Sequence, residues 1–486
     1  MTSGTILAVL IAYLLVLLAI GIWGSRESQS IEGYYVAGKK LPAWVIAFSS
    51  NATGESAWLL LGLTGMGYMV GVQALWVVLG EVLGVAMGWV FVALPFKRLT
   101  DRYQSITVAD FLEEHLHDSS HALRLLSAVI ILTMVTAYTA AQLTASGKAF
   151  SSFLGINYTT GVIVGTAIIL FYTTVGGFKA VAYSDVVQGI LMFAGLILLP
   201  TVAIVESGGW TSMFNKLVTI DPQLVEPMGK QGLSVDGVVA AVSFLGIGLA
   251  FLGAPQLLVR FISARDEKEI VHASLLAIVC IVVFDLGAVL AGMAGRTLFP
   301  DLADPETIMP ILSDQLFPAL ITGIFFVIVL AAMMSTVDSL LILASSAVVR
   351  DVIQKTFRST LSENRLSLVG KLVTVIIGGA ALITAFAQVR LIFWFVLFAW
   401  SGLASAFAPP VLCSLFWKRT SREGALAGMA GGFLTAIVWV LFFKEAYYDL
   451  YEMIPGFLVG FILTIGVSWI VPHPTDSRGY PADGHG

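Results

Sequence analysis

The sequence predicts an all-α integral membrane protein of about 13 transmembrane helices, built around two inverted five-helix repeats. Three observations predict it. Of the 486 residues, 58% are hydrophobic and only 12% charged, with a mean hydropathy of +0.91, whereas a soluble chain is roughly one-quarter charged. The apolar residues fall into runs of the roughly 20 residues that a helix needs to cross a bilayer. Two of these runs are interrupted by small and polar residues, where no water satisfies an unwound backbone.

The elements follow in order. The first run, 4–23, sits where a signal peptide would, but it lacks a basic leader and a small-residue cleavage site, so it reads as a retained helix. Further spans are expected at 43–68, 71–95, 123–151, 158–175, 180–205, 236–262, 270–298, 317–349, 366–387, 391–416, 423–443 and 454–471. With the N-terminus outside, the inner loops and span ends hold every Lys and Arg except Lys148, Lys216, Lys230, Arg296, Arg390 and Lys444. That asymmetry is what the positive-inside rule requires, and it makes the C-terminus cytoplasmic. Segment 106–117 is amphipathic and reads as a helix along the inner surface. The Pro-, Gly- and His-containing tail 472–486 reads as disordered. Cys280 and Cys413 lie inside apolar runs and form no disulfide framework or metal cluster. The net charge of −5 points to no nucleic-acid partner.

The expected layout is a first extra helix with its inner loop (1–42), a first repeat (43–205), an outer loop (206–235) and a second repeat (236–416). Two more helices (417–471) and the tail complete it. Five spans per repeat, an odd number, make the repeats inverted. Ser49 to Trp58 breaks the opening helix of the first repeat. Gly246, Gly248, Gly253 and Pro255 break that of the second, since Pro lacks a donor and glycine permits unusual dihedrals. Breaks of this kind line the ion and solute sites of carriers.

Five acids lie at membrane depth: Glu55, Glu81, Asp185, Asp285 and Asp338. No comparably central Lys or Arg accompanies them in this reading, so cations from outside the chain are their expected partners. The densest polar patch inside a span runs from Ala331 to Ser339. Ala332, Ser335, Thr336 and Ser339 share one helix face, with Asp338 at its border. Hydroxyls and carboxylates are hard oxygen ligands, and the lack of nearby His or Cys argues against zinc. No nucleophile–base pair marks an enzyme.

Ser56-Ala57-Trp58-Leu59-Leu60, Gly176-Gly177-Phe178, Ala331 to Thr336 and Phe398-Ala399-Trp400-Ser401-Gly402 resemble motifs of the sodium/solute symporter family. So do Gly424 to Met429 and Ile454-Pro455-Gly456-Phe457. The similarity is closest to the bacterial sodium/proline symporters and spans nearly the whole chain. It implies a LeuT-type core of inverted repeats. It also implies a sodium held by the carbonyls of Ala52, Glu55 and Ala332 with the hydroxyls of Ser335 and Thr336. In some relatives a second sodium matches Asp185, Asp338 and Ser339. The implied solute contacts are Ser56, Ala57, Trp58 and Tyr138, with Phe251 completing an apolar wall and Glu55 or Glu81 facing a substrate ammonium. The chain departs from the proline symporters in carrying Gly54 where they have aspartate, Ile247 and Phe251 where they have Trp and Tyr, and Glu81 where they are apolar. The expected function is sodium-coupled import of proline or a related amino acid across the bacterial inner membrane. The alternatives are symport of a carboxylate, pantothenate or a sugar, or a membrane sensor or channel-like protein. Against the last, the polar residues cluster at one depth and trace no continuous pore.

Overall fold

The computed structural model describes residues 2–25, 30–386 and 392–471. Arg26, Arg390, Arg478 and the tail 472–486 lie outside the described residues. The principal helices are α1 (Thr2–Ser25), α2 (Ala43–Ala57), α3 (Thr64–Val70), α4 (Leu75–Met87), α5 (Val108–His115), α6 (Ala122–Leu154), α7 (Tyr158–Gly176) and α8 (Phe178–Glu206). They continue with α9 (Val235–Gly246), α10 (Pro255–Ser263), α11 (Glu267–Leu298), α12 (Ala319–Ser346), α13 (Glu363–Ala385), α14 (Ile392–Phe416), α15 (Arg422–Val438) and α16 (Met453–Ile470).

Among the described residues, 11 helical stretches are long and apolar enough to cross a membrane. The expected count of 13 is not reached, for two reasons. Residues 43–102 count as one stretch of 60 residues, although Gly71 (φ 56°, ψ −126°) leaves the helical region between α3 and α4. In α7, the apolar stretch Tyr158–Phe171 forms a shorter helix.

Burial separates the inside of the bundle from its rim. The most apolar windows of Ala319–Thr356 and Ile392–Phe416 are 83% buried, against 22% for Arg422–Phe443. Helix α12 therefore runs through the protein, packed on α1, α2, α6 and α8. Helix α11 lies against α2, α3, α4 and α8. Lipid tails are as apolar as leucine, so such packing depends on close backbone approach at small residues. The clearest case is α4 against the segment that follows α9. A Cβ at Gly80, Gly84 or Gly248 would run into the opposing backbone there.

The two broken helices are tied together at one end. The Leu41 N–H donates to the Ser263 carbonyl at 3.0 Å, and the Arg265 N–H to the Leu41 carbonyl at 3.0 Å. This parallel bridge joins the residues before α2 to those after α10. Glu269 of α11 accepts the Ala43 N–H at 2.6 Å, filling one of the donors that a helix start leaves open.

Helix α5 forms where the amphipathic segment predicts one, but it is not a free surface helix. Residues Val108 to Glu113 are all buried. Thr107 caps it by accepting the Asp110 N–H at 2.9 Å. Asp110 pairs with Arg124 and with Arg350 at 3.1 Å, while Arg124 also reaches Asp351 at 2.9 Å. Charge pairing draws the segment into the protein. The 206–235 segment also has structure of its own, including a helix Trp210–Ile220. It docks where Trp76 donates to the Pro227 carbonyl at 2.9 Å.

Candidate functional site: two broken helices around α12

The first break is local and well compensated. Ser56 has φ 55° and ψ −168°, a conformation uncommon for a residue with a Cβ. Two amide donors at the break find side chains. The Trp58 N–H is 3.1 Å from the Ser56 Oγ, and the Ala57 N–H donates to the Gln142 Oε1 at 3.1 Å. Short polar side chains stand in for lost helical partners, which is how a membrane helix tolerates an interruption. A wide, π-type turn (Trp58–Leu63) then leads into α3. The second break comes after α9: Ile247–Leu252 tightens into 3₁₀ geometry, and Pro255 restarts the helix as α10. Pro is suited to that first position because its missing donor would be open anyway.

Carbonyls of α2 meet hydroxyls of α12. The Ser335 Oγ lies 2.9 Å from the Ala52 carbonyl oxygen and 3.0 Å from that of Ala332. The Thr336 Oγ1 lies 3.0 Å from the Thr53 carbonyl and 3.2 Å from that of Ala332. All of these residues are fully buried. Four of the five expected sodium ligands thus come together as a compact cluster of hard oxygens. The fifth, the Glu55 carbonyl, accepts the Trp58 N–H along its own chain. Thr53 adds a carbonyl that sequence reasoning did not single out.

Asp185, Asp338 and Ser339 are also buried beside the break, but in company the sequence reading did not foresee. The expectation that no central cation accompanies the buried acids is wrong: Arg260 of α10 is 1% exposed and stands among them. Its Nη2 lies 3.2 Å from the Asp185 Oδ2, 2.6 Å from the Thr53 Oγ1 and 2.5 Å from the Ser339 Oγ. Its Nε donates to the Ser49 Oγ at 3.1 Å, and that hydroxyl donates to Asp185 at 2.6 Å. The reason is the restart at Pro255, which places Arg260 in the last turn of α10 with its long side chain turned inward. An arginine five positions beyond the break-forming proline was the available signal.

The remaining predicted residues line the break on other sides. Tyr138 Oη is 3.5 Å from the Ser56 Oγ. Phe251 packs edge-on against Trp400 with ring centres 5.4 Å apart, and its ring edge would lie 3.0 Å from a Cβ at Gly54. Trp58 stacks on Phe393 at 5.3 Å. Tyr138 also meets Trp400, at 6.2 Å. Trp400 and Gln142 therefore belong to this region although neither was expected there. Trp400 was visible only as part of a motif, and Gln142 as a lone amide in an apolar run. Glu55 and Glu81 come together with Asp285, their carboxyl oxygens within 4.8 Å of one another.

A helical membrane bundle with two broken helices meeting a hydroxyl-lined helix defines a carrier of the LeuT type. More narrowly, the chain belongs to the sodium:solute symporter family, whose model matches residues 34–432. It is 35% identical over 466 residues to the high-affinity proline transporter PutP of Bacillus subtilis (strain 168), covering 95% of this chain and 97% of that one. It is 34% identical over 467 residues to the osmoregulated proline transporter OpuE of the same organism, covering 95% and 94%. Among solved structures, it is similar to a Na+-coupled sialic acid symporter in a substrate-bound, outward-open state. The TM-score is 0.80 at 19% identity, over 96% of this chain and 98% of that one.

Proposed function

We propose that this protein is a sodium-coupled secondary active symporter that imports proline or a closely related amino acid by alternating access. The observation that carries this reading is the meeting of Ser335 and Thr336 with the carbonyls of Ala52, Thr53 and Ala332. Sodium entering there replaces the hydroxyl–carbonyl bonds with ion–oxygen bonds and stitches α2 to α12. The Glu55 carbonyl joins the set if the break opens slightly. Fixing the break in turn shapes the solute site beside it, lined by Ser56, Ala57, Trp58, Tyr138 and Phe251. Two donors there, the Trp58 Nε1 and the Gln142 Nε2, are buried without a partner among the described residues. They suit a substrate carboxylate.

In this reading, 43–205 and 236–416 are the inverted repeats. The N-terminus is outside and the C-terminus cytoplasmic, in a bacterial inner membrane. A second sodium at Asp185, Asp338 and Ser339 requires Arg260 to leave Asp185, so this arrangement favours a guanidinium there. One positive charge crossing about 100 mV supplies roughly 2.3 kcal/mol. A tenfold sodium gradient adds about 1.4 kcal/mol. One ion then suffices for an accumulation of several hundredfold.

The test is uptake of a panel of labelled solutes into proteoliposomes under an imposed sodium gradient. Proline or a small amino acid should enter only with sodium. Entry of a carboxylate or sugar, with amino acids excluded, would overturn the substrate assignment.

A further inference from the structure

The carboxyl groups of Glu55, Glu81 and Asp285 come from three different helices, α2, α4 and α11, and each offers an oxygen within 4.8 Å of the other two. Glu55 and Asp285 are fully buried and Glu81 is 2% exposed. A second observation concerns what does not reach them. Both oxygens of Glu55, both of Asp285 and the Oε2 of Glu81 are buried and accept from no donor outside the triad among the described residues. Buried acids are ordinarily paired or hydrogen-bonded, because desolvating a bare carboxylate is very costly. Arg260, the buried guanidinium of this region, spends its nitrogens on Asp185, Ser49, Thr53, Ser339 and the Gln256 carbonyl. The triad thus has convergent oxygens and a deficit of positive charge.

We propose that Glu55, Glu81 and Asp285 form a second cation site, taking a hard inorganic cation. Oxygen-only ligands select sodium or calcium-like ions over soft metals. Counting acceptors separates this from a substrate ammonium. A primary ammonium brings three N–H donors and a prolinium two, fewer than the open oxygens. A hard cation takes carboxylate oxygens singly or in bidentate fashion and so engages all three groups at once, sodium offsetting one of their charges and calcium two. The oxygen spacing also fits, since ligands about 2.4 Å from one ion stand up to about 4.8 Å apart.

The site shares α2 with the Ser335–Thr336 cluster but ties it to other helices. One ion ties α2 to α12, and the other ties Glu55, the residue before the break, to α4 and α11. Both ions stabilise the same interrupted segment, so each should raise the other's affinity by the same factor. The existence of the site rests on the three carboxyls alone. The choice of sodium as its first occupant rests on the symport reading above.

The test is equilibrium binding of radioactive sodium, and in a separate arm radioactive calcium, to the purified full-length protein without solute. Wild type should bind two inorganic cations per chain. Glu81→Gln with Asp285→Asn should abolish one, or weaken it by more than about tenfold, and leave the other bound with reduced affinity. Thr336→Ala should do the reverse. The wild-type count needs no variant, so it stands even if a substitution misfolds. A single sodium per chain with no calcium bound, lost entirely in Thr336→Ala, would overturn the proposal. So would unchanged binding of both ions in the doubly neutralised variant, including the case where only proline affinity falls and the triad is a solute contact. Failure of proline uptake with the second ion still lost on neutralisation would sink the symport reading and leave this site standing.

Discussion

As the proposed sodium ligand, Thr336 shows how little need separate a structural hydroxyl from an ion ligand. Its Oγ1 sits 3.0 Å and 3.2 Å from two carbonyls, so the same oxygen can bond to backbone or turn its lone pairs to a cation. Removing it in Thr336→Ala should raise the sodium concentration for half-maximal uptake about tenfold, equivalent to about 1.4 kcal/mol. Thr336→Ser should stay near wild type. Arg260 makes the complementary point about charge. Arg260→Ala leaves Asp185 buried without its partner and should cost about 3–5 kcal/mol, read as a lower thermal midpoint in detergent. Adding Asp185→Asn should recover part of that loss, because the two residues share one network.

Among the elements, the breaks carry the account. Helix α4 can lie on the segment after α9 only because Gly80, Gly84 and Gly248 have no Cβ. Gly248→Val should force the two apart, at about 1–3 kcal/mol for overpacking, and lower both thermal midpoint and uptake. Helix α6, which carries Tyr138 and Gln142, is capped from the preceding turn by Asp118. That carboxylate accepts from the Ser120 N–H at 3.0 Å and the Leu123 N–H at 2.8 Å. Burial alone would raise Asp118, but the bonds from Ser120 and Leu123 outweigh it and hold the carboxyl below the usual range. Its contribution to stability is therefore present above the ordinary aspartate pKa and lost as pH falls through the lowered value. Asp118→Asn should blunt that acid-side decline in thermal midpoint.

The breaks were legible because a polar cluster around Glu55 and a proline at 255 interrupt apolar runs at the same place, the start of each five-span block. The face formed by Ala332, Ser335 and Thr336 was legible from helical spacing alone. What the sequence hid were long-range choices. A linear reading does not tell which of the buried acids Arg260 meets, Asp185 rather than Glu55 or Asp285. The meeting of Asp285 with Glu55 and Glu81 depends on how α11 crosses α2 and α4. Segment 106–117 showed its periodicity, but its docking depends on Arg124 and Arg350, which lie far along the chain.

In the molecule as a whole, the proposed mechanism makes sodium, the broken helix and the solute one linked equilibrium. Solute should raise sodium affinity by the same factor by which sodium raises solute affinity, measurable by titrating each ligand at fixed levels of the other. The most direct test of the central claim is the sodium dependence of proline binding to purified protein, wild type against Thr336→Ala. Bridging of α2 and α12 by sodium predicts that sodium sharply tightens proline binding in wild type and that the variant loses most of this effect. Equal sodium dependence in the two proteins would contradict it.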